Sequence, residues 1–244
     1  MLEVEGLTLW YPGEDSRPAL DNVGFSVKAG EKAALIGPNG AGKSTLLLCL
    51  LGLLEGSPGG RIRIDGLELN RNSLRQIRSR AGLVFQDPDN QLFMPTVYQD
   101  LAFGLRDQQG TEEEKEGRIV RVLEDLSLTP LRDRLTSRLS GGEKRLAALG
   151  GILVRQPSLI LLDEPAAYLD PRRRRELIHL LASLPQTLLV VTHDLDMAWQ
   201  LCSRVILLAG GRIAADGPAK TLLRDRALLE SCDLEVPLGL QPLT

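Results

Sequence analysis

One run of the chain has the residue types and the order needed to hold phosphate: Gly37-Pro38-Asn39-Gly40-Ala41-Gly42-Lys43-Ser44-Thr45. It fits the pattern G-x-x-x-x-G-K-[ST]. Glycines let a backbone wrap closely around phosphate oxygens, so that several N–H groups turn inward. The positive end of a helix opening at Lys43 adds to that anion site. In such a loop Lys43 is expected to reach the β- and γ-phosphates of a nucleotide, and the Ser44 hydroxyl to ligate Mg²⁺. A second group closes the apolar run 159–162, where Asp163 is followed by Glu164. A carboxylate ending a buried strand can hold Mg²⁺ opposite Ser44, usually through a water, and that role falls to Asp163. Glu164, one residue on, points elsewhere and is expected to polarise the attacking water as general base.

These residues need elements to position them. Residues 2–27 mix short alternating segments (Leu7, Leu9, Tyr11; Val23, Phe25, Val27) with turn residues and read as antiparallel strands. Residues 32–36 form a short apolar strand, the glycine-rich turn follows, and a helix is expected over 43–54. Residues 61–70 read as a strand pair around Asp65-Gly66, and 81–85 as another strand. From about 95 to 150 the pattern is helical, with Thr111-x-x-Glu114 as a capping box. Aliphatic strands are expected at 159–162 and 187–191, separated by a helix near 172–183. A last strand, 204–208, precedes the turn Gly210-Gly211. Short buried strands alternating with helices imply an α/β fold: a mainly parallel sheet covered on both faces, interrupted by a helical insertion.

Composition narrows the field. The chain has 244 residues, 43% hydrophobic and 25% charged, which suits one α/β domain with an insertion and excludes wholesale disorder. The longest aliphatic stretch, around 46–54, falls far short of the roughly 18–20 residues of a membrane span. No basic run followed by an apolar stretch marks a secretory leader, and a cytosolic setting is expected. The 3 cysteines, Cys49, Cys202 and Cys232, lack metal-ligand spacing and read as buried or free thiols in a reducing compartment. With only His179 and His193, a histidine-based metal site is not expected. A net charge of −3 argues against a nucleic-acid partner. The basic run 172–175 opens an amphipathic helix and reads as its solvated face. The acidic residues Glu112, Glu113, Glu114 and Glu116 likewise suit a helix's first turn.

Upstream of the Asp163 strand lies Leu139-Ser140-Gly141-Gly142-Glu143. With the two segments above, it resembles the signature motif of ATP-binding cassette (ABC) ATPases. The resemblance implies a RecA-like P-loop NTPase fold with an N-terminal antiparallel β subdomain. It implies a nucleotide-binding domain over 1–226, a helical subdomain inserted at about 86–150, and a short tail over 227–244. It also implies ATP and Mg²⁺ as ligands and a second cassette, identical or paralogous, as partner. Two cassettes then close head to tail, and Ser140 and Gly142 cap the γ-phosphate held by the partner's loop. Gln86 matches the glutamine that senses Mg²⁺ and the attacking water, His193 the histidine that contacts the γ-phosphate, and Tyr11, beside Trp10, the aromatic that stacks on adenine. Two departures stand out: Glu143 replaces the usual Gln, and Tyr168 stands where the family has a small residue in the loop 166–170.

The run from Gly82 to Gly104, with Gln86-Asp87-Pro88-Asp89-Asn90-Gln91-Leu92-Phe93 at its heart, is similar to energy-coupling-factor (ECF) transporter ATPases. Gln99-Asp100 replaces the usual Glu-Asp pair there. Gln91-Leu92-Phe93-Met94-Pro95, combined with the signature that carries Glu143, is most similar to the cobalt/nickel import branch. That likeness implies a peripheral subunit on the cytoplasmic face of the cell membrane, with integral membrane transport subunits docked near Gln86–Gly104. Leu92, Phe93 and Met94 either line the docking groove or belong to the insertion's core. A vitamin-serving ECF ATPase, a soluble ABC ATPase and a non-hydrolysing regulator are the competing readings.

Overall fold

The computed structural model describes residues 1–11, 13, 17–54 and 59–241. In chain order the elements are β1 (Leu2–Leu9), β2 (Leu20–Val27), β3 (Lys32–Ile36), α1 (Lys43–Leu50), β4 (Gly59–Ile64), β5 (Leu67–Glu68), α2 (Leu74–Arg80) and β6 (Ala81–Val84). Then come α3 (Val97–Gly104), α4 (Glu112–Asp125), α5 (Gly141–Leu153), β7 (Leu159–Asp163), α6 (Pro171–Ser183), β8 (Thr187–Val191), α7 (Leu195–Leu201), β9 (Arg204–Ala209), β10 (Arg212–Pro218), α8 (Ala219–Leu222) and α9 (Arg226–Ser231).

β1 buries Leu2, Val4, Leu7 and Leu9 while Glu3 and Glu5 face water, a period-2 pattern that skips one residue where the register shifts between Val4 and Leu7. It sits inside an antiparallel sheet of order β2-β1-β4-β5. The second sheet has the order β10-β9-β3-β8-β7-β6. Its pairs from β9 through β6 are parallel, and β10 lies antiparallel on the edge. The continuous apolar runs are explained by two cores, one on each face. Ala33 and Leu35 pack toward α1 and the antiparallel sheet, whereas Ala34 and Ile36 pack toward the helices of the insertion and the C-terminal half. This order sets the carboxyl ends of β3, β6, β7 and β8 along one rim, where parallel sheets hold their ligands.

Some expectations shift. The helix after the phosphate loop stops at Leu50 rather than at residue 54. Gly52 takes a left-handed φ of 58°, its N–H donates to Cys49 O (3.0 Å), and Leu53 N–H donates to Leu48 O (2.9 Å). That pair of bonds is a Schellman end, which terminates a helix whatever the apolarity of the residues beyond. β10 extends past the expected last strand; its half-buried positions alternate with exposed ones, but they hold Ile213, Ala215 and Gly217, too few large apolar residues to mark a strand in the sequence. The basic run is a solvated face only in part. Arg172 is exposed and pairs with Glu176 on its own helix, but Arg174 forks onto Asp194 at 2.5 and 2.7 Å, tying α6 to α7. The capping box at Thr111 and Glu114 is present. Leu229 and Cys232, beyond residue 226, belong to the helix-side core. All 3 cysteines are buried and free; burial pushes the Cys49 thiol up to about 11 and the Cys202 thiol to about 12.

Candidate functional site

Where β3 ends, the chain turns through Gly37 to Gly42 and enters α1. Gly37 has a φ of 152°, and a Cβ there would stand 2.0 Å from the Leu208 carbonyl oxygen. Gly42 has a φ of 101°, with the same imagined atom 2.7 Å from Ala19 O. The loop is therefore pressed between β9 and the start of β2, and only glycine fits those two points. Replacing Gly37 with Ala is expected to lower unfolding stability by at least about 3 kcal/mol, as left-handed strain and backbone overlap combine. Gly40→Ala, with φ 75° but open space around its Cβ, should lose only about 1–2 kcal/mol. Urea titration of the two variants measures the contrast.

The loop opens into a cleft of about 640 Å³. It is lined by Asn39, Gly40, Ala41, Gly42, Lys43, Ser44 and Thr45 together with Tyr11, Gln86, Asp163, Glu164 and His193. Gly37 and Pro38 do not line it; their carbonyls accept from Lys43 Nζ at 2.7 and 2.9 Å. Burial lowers the Lys43 ammonium below its ordinary value, opposed by the charges of Glu164 and Asp163. Tyr11, rather than Trp10, reaches the cleft, its hydroxyl 2.9 Å from Thr45 Oγ1.

The two acids at the end of β7 diverge. Burial pushes the Asp163 carboxyl upward; a hydrogen bond with Ser44 opposes this, and the neighbouring Glu164 charge adds to it. Glu164 adopts a left-handed φ of 46°, unusual for a residue with a side chain. Its N–H donates to Val191 O at 2.9 Å, which pins the turn to β8. Its Oε1 accepts from His193 N at 2.9 Å and lies 2.8 Å from His193 Nδ1. Its Oε2 accepts from the Thr192 hydroxyl at 3.2 Å. The His193 ring itself is 67% exposed at the rim. Asp163 thus meets Ser44 and Glu164 meets the histidine, while both charges act on Lys43.

Arg145, which the sequence reading passed over, ties this site together from α5. It is only 5% exposed, and its guanidinium donates to Glu164 O (2.8 Å), Gln86 O (2.9 Å) and Ala167 O (3.2 Å). Its spacing from Ala148 and Leu149 puts it on the buried face of α5, which is the one signal available in the sequence. Gln91 adds a second tie, its side-chain amide donating to Ala148 O at 2.8 Å.

Ser140 and Gly142 are not brought into the cleft. Ser140 caps the N-terminus of α5: its hydroxyl accepts from Glu143 N, while Glu143 Oε2 accepts from Ser140 N at 2.6 Å. The second bond, with the one from the Ser140 hydroxyl, holds the Glu143 carboxyl below the usual range. Glu143 is folded back on its own helix, which explains how a carboxylate is accommodated where the family has an amide. Tyr168 has a left-handed φ of 63° and is 95% exposed.

Comparisons with known proteins show the family. The family described as ABC transporter matches residues 20–167. The energy-coupling factor transporter ATP-binding protein EcfA of Carboxydothermus hydrogenoformans is 43% identical over 240 residues, covering 97% of this chain and 87% of that protein. The solved structure of cbiO1 from Clostridium perfringens, part of the ABC transporter complex cbiONQ, is 36% identical with a TM-score of 0.83, covering 94% of this chain and 93% of that one. A dimeric structure of the ATP-binding cassette MJ0796 bound to ADP and Pi is 28% identical with a TM-score of 0.78, covering 90% of this chain and 99% of that one. With an α/β P-loop NTPase fold and this site on its rim, the chain belongs to the ABC transporter ATPase family, whose members hydrolyse ATP in transport.

Proposed function

We propose that the chain powers an ECF-type importer by closing on ATP against a second cassette. The observation that carries this reading is the separation of Ser140 and Gly142 from the cleft that gathers Lys43, Ser44, Gln86, Asp163, Glu164 and His193. One protomer then offers two half-sites, a phosphate loop and a signature turn, and head-to-tail closure completes both. The dimeric ATP-binding cassette among its structural neighbours supports the same arrangement.

In this scheme the loop N–H groups and Lys43 hold the triphosphate, and Tyr11 stacks on adenine. Ser44, Asp163 and Gln86 offer hydroxyl, carboxylate and amide oxygens, a hard donor set that fits Mg²⁺ and leaves phosphate and water to complete its shell. When bound there, Mg²⁺ would neutralise charge developing on the phosphates. Glu164 accepts the proton of the attacking water, while His193, held on Glu164 Oε1, contacts the γ-phosphate. Ser140 and Gly142 cap that phosphate from the opposite protomer. Loss of the γ-phosphate contacts after hydrolysis removes what favoured closure, and the dimer reopens.

Membrane subunits dock along Gln86–Gly104. Leu92 is buried in the core, but Phe93 is 64% exposed and meets Phe103 edge-on at 4.6 Å between ring centres. Buried Asp100 accepts from Phe93 N and Met94 N, both at 3.1 Å, and so presents Phe93 outward. No helix among the described residues is long and apolar enough to cross a membrane. Attachment through this groove places the chain peripherally on the cytoplasmic face. The Gln91–Pro95 run and the likeness to cbiO1 favour cobalt or nickel as cargo.

Co-expression with the membrane subunits of an ECF-type transporter tests the reading. A Phe93→Ser, Phe103→Ser double variant should lose copurification at least tenfold while still binding ATP. Reconstituted complexes should take up Co²⁺ or Ni²⁺ in an ATP-dependent manner. Vitamin uptake instead would reassign the cargo, and failure to copurify with any membrane protein would overturn the transport role.

A further inference from the structure

The signature turn is more heavily braced than a helix cap requires. Ser140 Oγ accepts from Glu143 N at 3.4 Å and also from Arg173 Nη1 at 3.1 Å. A hydroxyl has two lone pairs and one proton. With both lone pairs facing N–H donors, the Ser140 proton turns to the Glu143 carboxylate, so the oxygen is fixed from three sides.

Arg173 is held in place for this. Asp170 caps α6 by accepting from Arg172 N and Arg173 N, both at 3.0 Å, and its other oxygen lies 3.5 Å from Arg173 Nε. Gly142 leaves the space: a Cβ there would stand 2.4 Å from Arg173 Nη1 and 3.0 Å from its Cδ. The Arg173 side chain remains 45% exposed, so its charge faces outward beside the turn.

We infer that Arg173 is a positioning residue of the signature half-site. It holds the Ser140 oxygen in place and sets a guanidinium beside Gly142, so that the turn takes the terminal phosphate of a nucleoside triphosphate bound to a second copy. The inference rests on reading the signature turn as the opposing half of the reaction site. It also links loop 166–170 to that half-site within one protomer, since Asp170 ends the loop and grips Arg173.

The test measures association of the purified chain by analytical ultracentrifugation with Mg²⁺ and β,γ-imido ATP, for Arg173→Ala, Arg173→Lys, Ser140→Ala and Arg173→Ala with Ser140→Ala. Binding of a fluorescent ATP analogue to dilute monomer is followed in parallel, and thermal melts check folding. Arg173→Ala should weaken nucleotide-driven association about tenfold, the scale of one charge-assisted contact, with monomer binding unchanged. Arg173→Lys should recover part of the loss, because it keeps the charge without the planar fork. In the Ser140→Ala background the Arg173→Ala loss should largely vanish, as expected of two groups acting through one bond. An Arg173→Ala protein that associates like the parent, or an equal loss in both backgrounds, overturns the inference. A Ser140→Ala protein that associates normally instead sinks the reading of the turn on which the inference stands.

Discussion

Glu164→Gln is expected to lower steady-state phosphate release by about 10³-fold, within the usual range for removing a general base, while nucleotide-driven association survives. The expectation follows from how the carboxylate is held. An amide oxygen can take the place of Oε1 and still accept from His193 N, and the amide nitrogen can take the place of Oε2 and donate to Thr192 Oγ1. The substitution therefore preserves the hydrogen-bond frame and the left-handed turn; what it removes is the capacity to accept a proton. Stability should stay within about 0.5 kcal/mol of the parent. Phosphate-release kinetics, read beside sedimentation with ATP, check both halves. Turnover within threefold of the parent would remove Glu164 from the base role.

Arg145→Ala is expected to cost about 3–5 kcal/mol of stability and most of the ATPase activity in whatever fraction remains folded. The guanidinium satisfies three carbonyls, those of Gln86, Glu164 and Ala167, in a position closed to water. Charged hydrogen bonds of this kind are worth about 1.5–3 kcal/mol each, less when counted together, and truncation leaves the acceptors bare. The same loss frees three segments that must stay in register: the loop bearing Gln86, the turn bearing Glu164, and the loop ending at Asp170. Arg145→Lys keeps the charge but cannot span the three acceptors, so it should recover less than half of the stability. Urea unfolding with parallel ATPase assays on the folded fraction checks this. A variant as stable as the parent would show that water replaces the guanidinium without loss.

The contrast between these two residues shows what the chain makes readable. The phosphate loop was legible because its glycines encode a backbone path, and Gly37 and Gly42 stand where a side chain would strike a carbonyl oxygen. Asp163 and Glu164 were legible because they end an apolar strand. Arg145 was not, because its partners are carbonyls, and every residue has one. Arg173 and Arg174 were hidden inside a run of like residues, where charge counting suggests solvent and only the fold shows that one meets Ser140 and the other Asp194. The end of α1 was misread because apolar residues 51–54 continue the helical composition, whereas the stop lies in the φ of Gly52. The place of Glu143 emerged only from geometry, since a carboxylate beside a phosphate site looks repulsive until its bond to Ser140 N is seen.

β3 lends alternate side chains to the cores on both faces of its sheet, Ala33 and Leu35 to one, Ala34 and Ile36 to the other. It thereby works as a keystone. Neither face can slacken without undermining the ground on which the phosphate loop stands, so a nucleotide gripping that loop braces the whole arch at once.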